Sequence, residues 1–392
     1  MGLLDKVQRF QTARQLMDAG LYNYFRPIES AQENTVRYNG REVIMLGSNN
    51  YLGLTNHPKV KDAAIAALGK YGSGCAGSRF LNGTLDVHVE LEEKLASLVG
   101  KEKALVFSTG FFANQGTIST MVGRNETVVV DRTDHASIID GCRMSFGNVR
   151  KYRHQDMEHL DYVLSKEKGA DTLVVVDGVF SMEGDIARVP EILELCQKHG
   201  ALLMVDDAHG VGVMGDHGRG TCNHFGVTED VHMIVGTFSK SLASVGGFVA
   251  SDADTIHYIQ HLARVMIFSA SPPPASVASV SAAIDVMLEE EWRHQALWRN
   301  TDIMMDRLRS AGFDTGPSET PIIPVVVGGD EAAYRMCVRC WEEGVFVNPI
   351  VSPAVEPGNA LLRLSLMATH TEDEIHKSMD ILTSVGKELG VV

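Results

Sequence analysis

Through the middle of the chain, short runs of consecutive apolar residues alternate with longer stretches whose apolar positions recur every turn of a helix. The runs at 104–107, 127–130, 173–176, 202–205, 233–235 and 248–250 read as strands. Apolar on successive residues, they suit a sheet covered on both faces, and therefore a mostly parallel one. Between them, 85–99 carries Leu91, Leu95 and Val99 along one face, and 190–199 has the same character; both predict helices. Alternation of this kind implies an α/β domain with its sheet between two helical layers.

Ser269-Ala270-Ser271-Pro272-Pro273-Pro274 interrupts the pattern. Beyond it, helices are predicted at 275–288, 292–311, 332–343 and 371–389, and strands at 322–327 and 361–365, which makes a smaller α+β domain. The first 45 or so residues read as a helix and an extended arm, with Tyr22-Asn23-Tyr24-Phe25-Arg26-Pro27 as the turn. The expected division is therefore 1–45, 46–274 and 275–392.

Composition narrows the function classes. A formal net charge of −15 opposes non-specific binding to nucleic acid or to an anionic membrane. Six cysteines over 392 residues show no disulfide-framework spacing, which favours a reducing cytoplasm. Cys337 and Cys340 form a C-x-x-C on one helix face, with no second pair to complete a zinc site, so two buried thiols are expected and no metal. No signal peptide and no apolar run of transmembrane length is visible. Leu3, Leu4, Val7 and Phe10 permit peripheral membrane contact, although packing of a terminal helix explains them as well.

Polar clusters follow the apolar runs: Ser108-Thr109-Gly110, Asp131 to His135, Asp177 to Ser181, Asp206 to His209, and Thr237 to Lys240. Ligand sites in open parallel sheets collect at the carboxyl ends of strands, so this ordered set points to one shared pocket. Lys240 stands in Val235-Gly236-Thr237-Phe238-Ser239-Lys240-Ser241, and Asp206 closes an earlier run. An amine after one buried strand and an acid after another are what pyridoxal phosphate (PLP) chemistry requires. The lysine holds the aldehyde as a Schiff base, and the acid keeps the pyridine nitrogen protonated. A glycine turn opening a helix at Gly110 suits a phosphate, with Thr237, Ser239 and Ser269 as further hydroxyl donors. His135 could stack on the ring, against a purely structural role for a histidine in a polar loop. His209 could reach the ring oxygen. Arg363, a charge inside an apolar strand, suits a carboxylate substrate or a local ion pair equally.

Together these residues resemble the α-oxoamine synthases, PLP enzymes of fold type I. The matching stretches are Asn49-Asn50-Tyr51-Leu52-Gly53-Leu54, Asp134-His135-Ala136-Ser137, Asp177-Gly178-Val179-Phe180-Ser181-Met182-Glu183-Gly184-Asp185, Asp206-Asp207-Ala208-His209-Gly210 and Gly236-Thr237-Phe238-Ser239-Lys240. Within the family, Gly74-Cys75-Ala76-Gly77-Ser78-Arg79-Phe80-Leu81-Asn82-Gly83-Thr84 and Ser239, where other members usually carry glycine, are closest to the bacterial serine palmitoyltransferase subgroup.

The resemblance implies a fold type I large domain and a homodimer with active sites at its interface. It implies Lys240 as the cofactor lysine and proton carrier, Asp206 at the pyridinium, His135 on the ring and His209 at its oxygen. Gly110, Phe111 and Thr237 would hold the phosphate, joined by Ser269 from the neighbouring subunit. Asn49, Ser181 and Arg363 would take the amino-acid carboxylate. CoA has no clear motif, and Arg26 is a candidate only for its charge. The implied reaction is a decarboxylative condensation of an L-amino acid, serine before others, with a long-chain acyl-CoA such as palmitoyl-CoA, as in the first step of sphingolipid synthesis. Alternatives are a cysteate acyltransferase, an 8-amino-7-oxononanoate synthase, a 2-amino-3-ketobutyrate ligase and, further off, an aminotransferase. A regulatory subunit without cofactor chemistry is disfavoured, because Lys240, Asp206 and His135 are all present.

Overall fold

The computed structural model describes residues 2–392 and divides into two compact units. The larger comprises 49–298 with the short return 367–369. Its centre is a seven-stranded sheet: β1 (Lys103–Phe107), β2 (Thr127–Asp131), β3 (Asn148–Tyr152), β4 (Thr172–Asp177), β5 (Leu202–Asp206), β6 (Met233–Thr237) and β7 (Gly247–Ser251). The order is β1-β7-β6-β5-β4-β2-β3. Every pairing from β6 to β3 is parallel; β7 runs antiparallel to both its neighbours. β2 and β4 are buried at every position, as expected of strands covered on both faces.

Six of these seven strands coincide with the apolar runs. β3 was not among them, because Asn148-Val149-Arg150-Lys151-Tyr152 lies at the sheet edge and buries only Tyr152. Its charged residues guard that edge against further pairing. The core beneath the sheet joins Val128, Val130, Leu173, Val175, Met204, Met233 and Val235 to Ala113 and Ile118 of the helix Gly110–Met121. Burial of such side chains stabilises the unit by about 1.5–3 kcal/mol each.

Register brings the functional ends together. Asp177 pairs with Asp206, and Asp206 with Val235, so the carboxyl ends of β4, β5 and β6 finish side by side. Strand alternation then decides which neighbour faces the site. Asp207 turns away, where Thr221 N and Oγ1 donate to its two oxygens at 2.7 and 2.6 Å, and burial pushes its carboxyl up to about 6.

The smaller unit contains residues up to Ser48 together with 299–366 and 370–392. The expected boundaries at 45 and 275 differ from this division. The N-terminal hairpin, Thr35–Tyr38 with Arg41–Met45, bonds in parallel to Val345–Phe346, so it shares a sheet with C-terminal residues. At the other boundary, the prolines mark a helix start and not a domain limit. Pro274 opens the helix Pro274–Glu289, which packs on Pro58–Tyr71 and Asp86–Val99 of the larger unit.

The terminal arm contains two short helices, Leu3–Arg9 and Thr12–Asp18, and neither buries a residue. Cys337 and Cys340 are buried on the helix Asp330–Glu343. Among the described residues, no helix is long and apolar enough to cross a membrane.

Candidate active site

At the carboxyl ends of β4, β5 and β6 lies a cavity of about 290 Å³ within the larger unit. It is lined by Gly110, Phe111, His135, Ser181, Asp206, His209, Thr237, Ser239 and Lys240. Nine residues singled out from sequence therefore meet in one space, joined there by Asn114, Ser137 and Asp177.

The helix Gly110–Met121 begins at the cavity wall. Thr109 caps it, its Oγ1 accepting from Phe112 N at 3.0 Å, and Ala113 N closes onto Thr109 O. The N–H groups of Gly110 and Phe111 are those that helix geometry leaves for a ligand. Thr237 stands directly against this turn, so that a Cβ on Gly110 would come within 2.7 Å of Thr237 Oγ1. Ser239 Oγ lies 3.0 Å from the same hydroxyl. Two hydroxyls and a helix N-terminus gathered in this way form a neutral anion cradle.

Asp206 sits at the end of β5, only 4% exposed. Ala208 N donates to its Oδ1 at 3.0 Å and Asn114 Nδ2 to its Oδ2 at 2.5 Å. Asn114 follows Gly110 by one helical turn and so shares its face. That spacing was the sequence signal for Asn114, which the strand-end reading passed over. Asn114 Nδ2 also donates to Ser137 Oγ, which lies 2.7 Å from His135 Nδ1. Burial lowers the His135 pKa, which favours the neutral imidazole. His135 backbone N–H donates to Asp177 Oδ2, and Asp177 N–H to Asp134 Oδ1. Burial raises both carboxyls, and neighbouring carboxylates raise them further.

His209 is oriented by a residue not foreseen as functional: Tyr51 Oη lies 2.8 Å from its Nδ1. Asn49 enters through the same hydroxyl, with Oδ1 at 3.4 Å from Tyr51 Oη. Three expected residues, Asn49, Ser269 and Arg363, are absent from the lining. Ser269 turns its hydroxyl to Ser108 Oγ at 3.2 Å. Arg363 belongs to the smaller unit, on the strand Ala360–Ser365, where its Nη1 donates to Ser365 Oγ at 2.8 Å. Arg26, a candidate for CoA, stacks over Trp341 at 5.0 Å in that unit.

The donor set fits PLP. A buried carboxylate at the cavity floor demands a cationic partner, which a protonated pyridine supplies. The anion cradle suits a phosphate, and the Lys240 amine shares the space with both.

Residues 41–382 match the family described as aminotransferase class I and II. A serine palmitoyltransferase of Sphingobacterium spiritivorum is 51% identical over 387 residues, 98% of this chain and 97% of the relative. An 8-amino-7-oxononanoate synthase of Geobacter sulfurreducens is 44% identical over 382 residues, 97% of this chain and 98% of the relative. A solved structure of SPT with a PLP internal aldimine superimposes with a TM-score of 0.97 at 36% identity, each chain covered completely.

Proposed function

The chain belongs to the aminotransferase class I and II family, among its α-oxoamine synthases, and from that premise we propose that it joins L-serine to a long-chain acyl-CoA. The acyl donor is palmitoyl-CoA or a near homologue; CoA and CO2 leave, and an aminoketone such as 3-ketodihydrosphingosine remains. The observation that carries this reading is the convergence of Lys240, Asp206, His135 and the Gly110 turn on one cavity.

When bound, PLP supplies an electron sink for the charge left on the amino acid's Cα. The chain's own residues do the rest. Lys240 would anchor the cofactor, and its amine would take the proton from the amino acid's Cα and later return one. Asp206, fixed by Asn114 and Ala208, would keep the ring nitrogen protonated. His135, tethered through Ser137, would pack on the ring. His209, oriented by Tyr51, would reach the ring oxygen, while Gly110, Phe111, Thr237 and Ser239 would take the phosphate. Ser181 and Asn49 hold the amino-acid carboxylate. Ser269, turned away from its own cavity, serves the phosphate of a second copy in a cytoplasmic homodimer. Holding both substrates in one site supplies much of the rate through proximity.

Serine is favoured over the alanine-using reading by the higher identity to the serine palmitoyltransferase than to the oxononanoate synthase and by Ser239. A panel of amino acids against palmitoyl-CoA, read as thiol release, tests it. Serine is expected to give the largest kcat/KM. Equal or better turnover with cysteate, alanine or glycine overturns the serine assignment.

A further inference from the structure

His154 follows β3 and does not line the cavity, yet it touches two of the loops that do. Its Nδ1 lies 3.1 Å from Asp131 Oδ1 and 2.8 Å from Thr133 Oγ1, and its Nε2 lies 3.2 Å from Asp185 Oδ2. With a carboxylate facing each ring nitrogen, both nitrogens carry hydrogen and the ring is an imidazolium. It stands edge-on to Phe180, with centroids 4.5 Å apart at 89°.

Each carboxylate belongs to a loop that enters the site. Asp131 ends β2 and starts the turn to His135; Thr133 N donates to its Oδ1 at 2.9 Å, and Asp131 N donates to Asp134 Oδ2 at 2.8 Å. Asp185 closes the loop that presents Ser181, since Phe180 N donates to Asp185 O and Gly184 N to Phe180 O, both at 3.0 Å. Gln155, next to His154, reinforces this side by donating to Asp185 Oδ2 at 2.9 Å and to Ile186 O at 2.8 Å.

We propose that His154 is a positioning residue, a charged clasp between Asp131 and Asp185 that fixes the Ser181 loop against the His135 turn and so shapes the subsite for the amino-acid carboxylate. This rests on the reading of the cavity as a PLP and amino-acid site. Burial pulls the His154 pKa down, but the hydrogen bonds and charges of Asp131 and Asp185 outweigh it and raise it to about 10. Of the remaining ionisable neighbours, Glu183 feels the His154 charge, which partly offsets the rise that burial gives its carboxyl; Arg153 pairs with Asp156, and Arg188 pairs with Glu191. Asp134 and Asp177 are bound to backbone N–H groups.

Two neutral isosteres separate the arms of the clasp. His154→Asn keeps a donor where Nδ1 stands and loses the Asp185 arm; His154→Gln keeps a donor where Nε2 stands. In the PLP-loaded protein, His154→Asn is expected to raise the serine Kd and KM roughly tenfold while the KM for palmitoyl-CoA stays unchanged. His154→Gln, which keeps the Asp185 arm but loses the charge and the Asp131 arm, is expected to raise the serine Kd and KM less. Without PLP, amide hydrogen exchange across 178–187 should quicken in His154→Asn and remain near wild type in His154→Gln. Should His154→Asn fail to fold, Asp185→Asn makes the same test from the other side. Folded variants with wild-type serine affinity and unchanged exchange overturn the clasp. A wild-type protein that takes no PLP and gives no spectral response to serine overturns the site reading instead, and the exchange measured without PLP tells the two failures apart.

Discussion

The carboxyl edge of the central sheet has two sides, and they handle charge differently. On the β5–β6 side, Asp206 and Lys240 face the cavity, and Asp206 accepts from Ala208 N and Asn114 Nδ2. On the β2–β4 side, Asp131, Asp134 and Asp185 are held by backbone N–H groups, Gln155 and one imidazolium. The first arrangement leaves charge directed at a ligand. The second uses charge to hold loops. Carboxylates thus divide into one that faces the ligand cavity and others that tie loops together.

The sharpest break in this comparison comes on the working side. Lys240→Ala should lower turnover by about 10³-fold or more and remove the visible absorbance of the PLP-loaded protein, while far-UV circular dichroism stays as in wild type. Asp206→Asn should cost roughly 10²-fold in kcat/KM, because an amide cannot keep the ring nitrogen protonated; steady-state kinetics with serine and palmitoyl-CoA measures this.

Effects on the holding side should appear in stability. His154 has its pKa raised from 6.5 to about 10 in the folded chain. Its contribution is therefore fully present below pH 6.5 and is lost as pH rises through about 10. Asp131 is shifted the other way, below its ordinary 3.8, because the His154 and backbone hydrogen bonds overcome its burial. Its contribution is present above that value and is lost as pH falls through the folded pKa. Urea midpoints across pH should show wild type weakening towards alkaline pH more than His154→Gln does. The smallest effect belongs to Asp177→Asn. A carboxyl raised by burial is replaced by a neutral group of the same shape, so stability should stay within about 1 kcal/mol of wild type. Asp177→Ala, which strands the His135 N–H, should cost about 2 kcal/mol.

The legibility of the sequence follows the same division. Six central strands could be read because burial on both faces makes them continuously apolar, and the edge strand β3 could not because it is charged. Lys240, Asp206, His135 and His209 could be read because each closes or follows such a run. Tyr51 and His154 could not, since their partners lie far along the chain: Tyr51 reaches His209 across 158 positions, and His154 reaches Asp185 across 31. The boundaries at 45 and 275 were drawn from local breaks in pattern. Domain membership is set instead by long-range pairing, such as that of Val345–Phe346 with the N-terminal hairpin.

The central claim is that Lys240 is the residue that holds PLP. Borohydride reduction of the PLP-loaded protein, followed by proteolysis and mass spectrometry, tests it most directly. The account predicts a pyridoxyl adduct on Lys240, with no other lysine labelled in proportion. An adduct confined to another lysine, or no adduct in a protein that turns over serine and palmitoyl-CoA, would contradict it.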